Sequence, residues 1–440
     1  MRIGETANDR AAAWGKPLDG VRVLALEQMQ ALPYATQLLA RLGADVVKVE
    51  PPRTGESGRG SLPAMLDPEG RKVGITFTRN NFGKRSIGVD LKRPEGRDLV
   101  LRLAPRFDVV AENFKPGTAD RLGLGYADIA AVHPRGVYLS VSGFGNGDSP
   151  YRGWPAYAPI AEAMAGLYDF KRDPETPPVV SPLGALGDTG AALFAVIGVL
   201  AALRHRERTG EGQHVDIAMY DAMVAFGDAG LNYWSMGLER PGNAPGINHS
   251  FRCADGFFIL QCGRPHMFER LARTVGRPDW TADPRLAGPQ DWFDRLEELI
   301  RPGIEEWARE LTGRQATAAL AAAGVAAGPV QSPAAVAADE HVRRRAMLVE
   351  YDRPDGVDRP ILSPGNPVKL SRMTEGPLRR MPWLGEHTAT VLREELDLDE
   401  AELHRLAESL TIGGPGVAAD RPGVADDRPG IPDGPGSRLS

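Results

Sequence analysis

The chain has 440 residues, 42% of them hydrophobic and 25% charged, with a formal net charge of −6 and a pI near 5.9. That length exceeds one ordinary core and predicts two domains plus tails. The acidic balance argues against nucleic acid as a partner, because a phosphate backbone needs a basic face. The two cysteines, Cys253 and Cys262, carry no metal-ligand spacing, so neither a disulfide scaffold nor a metal site is expected, and a reducing cytoplasm is.

Residues 1–17 lack the apolar core of a signal peptide and are expected to be a flexible extension. Residues 21–26 read as a strand, followed by a helix that starts near Pro33 and ends at Gly43, then a second strand at 44–49. This β-α-β unit places parallel strands side by side. The alternation continues with strands at 86–90, 108–112 and 137–142, and a helix at 94–104 with proline in its first turn. It predicts an α/β fold whose large domain is an open, mostly parallel, Rossmann-like sheet. The glycines of a dinucleotide fingerprint are missing after the first strand, where the chain reads EQMQALP at 27–33, so no nicotinamide or flavin is expected.

A long helix is expected over 189–206, a strand over 213–219 and a helix over 221–234. The apolar run 191–203 falls short of the roughly 20 residues that span a bilayer, so it reads as a buried helix and no membrane partner is expected. Asp255-Gly256 marks a hairpin. The expected division is a large domain over 18–235, a linker at 236–246, a small α+β domain over 247–330 and a return to the large domain at 331–410. Residues 411–440, rich in Gly, Pro and Asp, are expected to be a disordered tail.

For chemistry, Asp188 stands out in GALGDTG at 184–190. An acid just before a long helix reads first as an N-cap. It also fits a carboxylate nucleophile that attacks a thioester to form an anhydride, with Gly187 and Gly190 allowing close backbone approach. The eight histidines form no HExxH and no catalytic triad pattern. Lys84, Arg85, Lys92, Arg93, Lys115 and Arg121 fall near strand ends, where cations hold phosphates or are simply solvated. Tyr157, Tyr233, Trp234 and Met236 suggest an apolar wall or ordinary core.

These pieces in their order resemble the family III CoA-transferases, which include formyl-CoA transferases, carnitine CoA-transferase-like (CaiB/BaiF) proteins and α-methylacyl-CoA racemases. The likeness runs from residue 18 to residue 406. It is carried by LDGVRVL at 18–24, LGADVVKVEP at 42–51, KRSI at 84–87, ENFKPG at 112–117, Gly187-Asp188, TGEGQ at 209–213, GVAAGPV at 324–330 and LGEHT at 384–388. The resemblance implies that Asp188 is the nucleophile, passing through aspartyl anhydride and aspartyl-CoA thioester intermediates. It implies that Gln30 and Ala31 line the mouth for coenzyme A, Gln30 beside the thioester. It implies CoA contacts at Val89, Asp90, Leu91, Lys92, Asn113, Phe114 and Lys115, with Arg121 on a phosphate. Acyl-CoA and a carboxylic acid are the implied partners, with no permanently bound cofactor, and the implied assembly is an interlocked homodimer.

Departures narrow the expectation. Pro51 stands where the family often has arginine, with Arg53 as its substitute. The segment GNAPG at 242–246 is poor in glycine, which argues against oxalate or formate. PAYAP at 155–159 supplies no histidine, which argues against a racemase, since racemisation needs a base on each face of the α-carbon. An acyl-CoA racemase or isomerase, and a CoA-binding protein without turnover, stand as the alternatives.

Overall fold

Apolar runs form strands β1 (Arg22–Leu26), β2 (Asp45–Glu50), β3 (Arg85–Val89), β4 (Val109–Glu112), β5 (Val137–Ser142) and β6 (His214–Ala218). From β1 to β5 nearly every residue is buried, the pattern of a parallel sheet covered on both faces. The computed structural model describes residues 1–7, 14–169, 175–227, 230–238 and 245–417. Two compact units divide the chain.

The larger unit comprises Arg2–Ala161, Leu183–Met223 and Glu350–Ser440. Its strands pair in parallel in the order β3-β2-β1-β4-β5-β6, with a two-residue antiparallel strand, Ile412–Gly413, on the β3 edge. Winding runs outward in both directions from β1, so the gap between the carboxyl ends of β1 and β4 is a topological switch point, where open sheets bind ligands. Helices α1 (Ala31–Arg41), α2 (Pro94–Leu103) and α3 (Leu186–Thr209) supply crossovers. Proline at the first position of α2 costs no hydrogen bond there.

Helix α3 has 24 residues and is apolar enough to cross a bilayer, yet half of that stretch is buried inside the protein. Its buried face is made of small residues, among them Ala191, Ala192, Ala195 and Ala202, which let it pack against α1 and β5.

The smaller unit comprises Met1, Glu162–Pro182 and Val224–Val349. Its hairpin joins β7 (Ile247–Cys253) to β8 (Gly256–Cys262) through Ala254-Asp255, and β9 (Ala326–Pro329) adds an antiparallel third strand. The core centres on Phe268, which stacks on Trp292 at 4.3 Å between centroids and on Trp280 at 6.0 Å.

Three boundaries differ from the sequence expectation. Residues 162–182, 224–246 and 331–349 belong with 247–330 in the smaller unit. The first residues are held: Ile3 N–H donates to the Glu350 carbonyl at 3.1 Å, and Ala7 exchanges backbone bonds with Glu375. Order also extends past residue 410, because Asp90 N–H donates to the Thr411 carbonyl at 2.8 Å and Ile412 is buried at the sheet edge. The remainder of the expected tail, 418–440, lies outside the described residues.

Candidate active site

The loops after β1 and β4 face one another across the switch point and line a cavity of ≈ 670 Å³. Gln28, Met29, Gln30 and Ala31 come from the first loop, and Asn113, Phe114, Lys115 and Pro116 from the second. Ser57, Gly60 and Ser61, on a turn after β2, form another wall. Ser142 and Gly143 at the end of β5, the stretch Trp154 to Tyr157, Asp188 and Met219 close it.

Asp188 lies in the first turn of α3, not ahead of it, because the helix begins at Leu186 and the capping position is Ala185. The cap-only reading therefore fails. A half-buried carboxylate at the positive end of a long helix dipole lines the cavity instead. Gly187 is obligatory for this placement: a Cβ there would sit 2.9 Å from Ala158 Cα. Its absence lets α3 start against the backbone that carries Ala156 and Tyr157. The close approach of Gly187 is thus to protein.

The first loop has unusual backbone. Met29 is left-handed at φ 62°, a conformation that costs a non-glycine residue about 1–2 kcal/mol. Its N–H donates to Glu56 Oε2 at 2.9 Å, and a bond to a charged acceptor contributes about 1.5–3 kcal/mol, enough to offset the strain. Gln28 is held at both backbone ends by Asn113, its N–H donating to Oδ1 and its carbonyl accepting from Nδ2, each at 2.9 Å. The Asn113 side chain therefore braces the loop.

Beneath the loop lies a buried ionic cluster. Glu27 pairs with Lys84 at 2.6 Å and Lys48 at 3.4 Å, and Lys48 also faces Glu56 at 3.7 Å. Glu50 takes a two-pronged pair from Arg59 at 2.7 Å and a hydrogen bond from Ser86 at 2.7 Å. The three acids and three cations cancel in charge, which makes burial affordable. Burial pushes the Glu50 carboxyl up, but Arg59 outweighs it and holds the group at about 2. Burial likewise pushes the Lys84 ammonium down, to about 8, against the pull of Glu27.

Among the described residues no cation pairs with Glu112, at the end of β4. Burial pushes it up to about 7, although hydrogen bonds from Ser140 and from Phe114 N–H (2.7 Å) favour the carboxylate. Ser140 Oγ continues to His214 Nε2 at 2.9 Å. This line of side chains backs the Asn113 to Pro116 loop from below.

Of the residues expected at the site, Asp188, Gln30, Ala31, Asn113, Phe114 and Lys115 line the one cavity. Arg53, Val89, Asp90, Leu91, Lys92 and Arg121 do not, though Arg53 follows β2 and the 89–92 stretch ends β3 on the same carboxyl edge. Val89 is buried in the hydrophobic core and Leu91 packs against it. Arg121 is exposed on a short helix, donating to Thr118 Oγ1 at 2.9 Å. Lys84 and Arg85 are corrected as phosphate candidates: the first is in the ionic cluster and the second pairs with Asp45 and Glu394. Arg93 faces Asp90 at 3.7 Å. Tyr157 joins the cavity wall, whereas Tyr233, Trp234 and Met236 belong to the smaller unit. The sequence reading missed Glu27, Lys48, Glu56 and Arg59. Their signal was a lysine in the middle of a strand otherwise fit for full burial, which demands a buried acid nearby.

Comparison with known proteins fits this geometry. The chain is 37% identical over 388 residues to a succinyl-CoA:mesaconate CoA-transferase of Haloarcula hispanica, covering 86% of this chain and 96% of the relative. It is 35% identical over 424 residues to a formyl-CoA:oxalate CoA-transferase of Streptomyces avermitilis, covering 89% and 98%. The solved structure of a CAIB/BAIF family protein from Brucella suis superposes with a TM-score of 0.77 at 34% identity, covering 87% of this chain and all of that one. The model for CoA-transferase family III matches residues 18–388, and with a carboxylate set into the switch-point cavity of this sheet, the chain belongs to that family and is a CoA-transferase.

Proposed function

We propose that Asp188 is the covalent relay of the transfer. Its carboxylate attacks the donor thioester carbonyl and expels CoA thiolate, leaving an aspartyl–acyl anhydride. Thiolate returns to the Asp188 carbonyl and releases the donor acid. The acceptor carboxylate then attacks the aspartyl-CoA thioester, again freeing thiolate. Thiolate finally takes the acceptor acyl carbon, giving new acyl-CoA and the original carboxylate. No step consumes or releases a proton, so the cycle needs no general base.

The observation that carries this reading is the place of Asp188 at the helix terminus, inside a cavity shared with Gln30. Among the described residues lining that cavity, Asp188 is the only carboxylate and none is a histidine, which favours transfer over racemisation. Gln30 would hold the thioester carbonyl, and Lys115, Arg53, Lys92 and Arg121 would attract the phosphates of CoA along the carboxyl edge of the sheet. By likeness to the Haloarcula relative, succinyl-CoA is the first donor to test and mesaconate the first acceptor.

The same reading includes a homodimer in the cytoplasm. Helix α3 exposes Leu193, Ile197 and Leu200 (45%, 60% and 37%) on one face, and a second copy of the chain would cover them. A reducing compartment suits the two buried free thiols.

Incubation with an acyl-CoA donor alone should give a CoA adduct by mass on the peptide carrying Asp188, and Asp188→Ala should abolish adduct and turnover together. Turnover at the native rate in Asp188→Ala would refute the reading. Exchange of the α-hydrogen with heavy water and no adduct would indicate racemase chemistry instead.

A further inference from the structure

We infer that Glu56 is a positioning residue for the transfer. Its buried carboxylate fixes the Gln28–Met29 peptide plane, and through it the place of Gln30 in the cavity that Asp188 lines. That peptide is held at both ends: the Met29 N–H donates to Glu56 Oε2 and the Gln28 carbonyl accepts from Asn113 Nδ2, each at 2.9 Å. Turning the plane would return Met29 from φ 62° to the common right-handed region and re-aim the residue that follows.

Glu56 is itself immobilised. Its second role is to accept from Gly58 N–H at 2.6 Å, capping the turn that brings Ser57, Gly60 and Ser61 to the same cavity. Its own N–H donates to Glu50 Oε2 at 3.1 Å, and Glu50 is clamped by Arg59. Lys48, fully buried on β2, faces its other oxygen at 3.7 Å. A rigid strand thus ends, through one carboxylate, on the backbone of two cavity walls. Glu56 does not itself line the cavity, so it acts through Met29 and the turn.

The inference rests on the proposed chemistry at Asp188, and the test separates the two. Turnover, KM, thermal stability and the Asp188 adduct would be measured for the wild type, Glu56→Ala, Glu56→Gln and Lys48→Met. Glu56→Ala should lower kcat about 30-fold while KM for acyl-CoA moves less than about threefold. Glu56→Gln, whose amide oxygen still accepts the Met29 N–H, should recover to within about fivefold of the wild type. Lys48→Met leaves that bond in place and should lose stability but keep kcat within about threefold. Should Glu56→Ala not fold, Glu56→Asp, one methylene short of Met29, carries the same expected loss. A kcat per folded molecule within about threefold of the wild type in whichever of these two variants folds overturns the inference. A missing adduct in the wild type would count against Asp188 instead, and the kcat ratios would still decide the role of Glu56.

Discussion

Glu50 and Glu112 end two strands of one sheet, β2 and β4, on either side of β1, and both are almost fully buried. Their proton affinities diverge. Glu50, beside Arg59, is held at about 2, whereas Glu112, which accepts from Ser140 and a backbone N–H and feels Asp120 and Asp216, rises to about 7. Burial raises both, but Arg59, with Lys48 and Ser86, pulls Glu50 down, whereas Asp120 and Asp216 push Glu112 further up. The β2 strand therefore ends on a carboxylate that stays ionised at neutral pH. The β4 side rests on a carboxyl poised to gain or lose a proton there.

Breaking the charged side should have the largest effect. Glu27→Ala strips Lys84 and Lys48 of their shared partner and should cost about 3–5 kcal/mol of unfolding free energy in urea titrations. The poised side should show in pH dependence. An unfolded Glu112 ionises near 4.5 and the folded one near 7, so between those values unfolding releases a proton and stability falls as pH rises. The decline should total about 3 kcal/mol and flatten above pH 7, and Glu112→Gln should abolish it, so that the difference between the two pH profiles reports the Glu112 contribution.

Glu50 has the opposite sign. Its contribution is present above about 4.5 and is lost as pH falls toward 2. Arg59→Lys keeps the charge but not the two-pronged bond, so it should cost about 1–2 kcal/mol and move the acid limb to higher pH. The smallest effect serves as a control in the other unit. Thr312 caps the helix Gly313–Ala322 there, and Thr312→Ala should cost about 1 kcal/mol with no change in either pH slope.

Much of this fold was legible in the sequence. Val-rich runs at 21–26, 44–49, 108–112 and 137–142 needed only the rule that buried parallel strands are apolar throughout, and Asp255-Gly256 named its hairpin. The site was legible through the family resemblance, whose implied residues Gln30, Asn113, Lys115 and Asp188 line one cavity. What stayed hidden depends on three-dimensional pairing. Lys84 looked like a strand-end cation because nothing local says that Glu27, 57 residues earlier, lies 2.6 Å away. Met29 gave no hint of a left-handed backbone, which here is set by Glu56 on the turn after β2. The start of α3 was placed three residues late because Asp188 read as a cap ahead of the helix, whereas the helix begins at Leu186 and the missing side chain of Gly187 is what admits Ala158.

The central claim is that Asp188 is opened and remade in every cycle, and isotope transfer tests it most directly. In the proposed sequence one oxygen of the acceptor carboxylate remains on Asp188 when the second anhydride is cleaved. After a single turnover with acceptor acid labelled with heavy oxygen, the peptide carrying Asp188 should be about 2 Da heavier, and in later cycles label should pass into the released donor acid. Full turnover with an unlabelled Asp188 peptide would contradict the account, because the acids would then have exchanged CoA without that side chain.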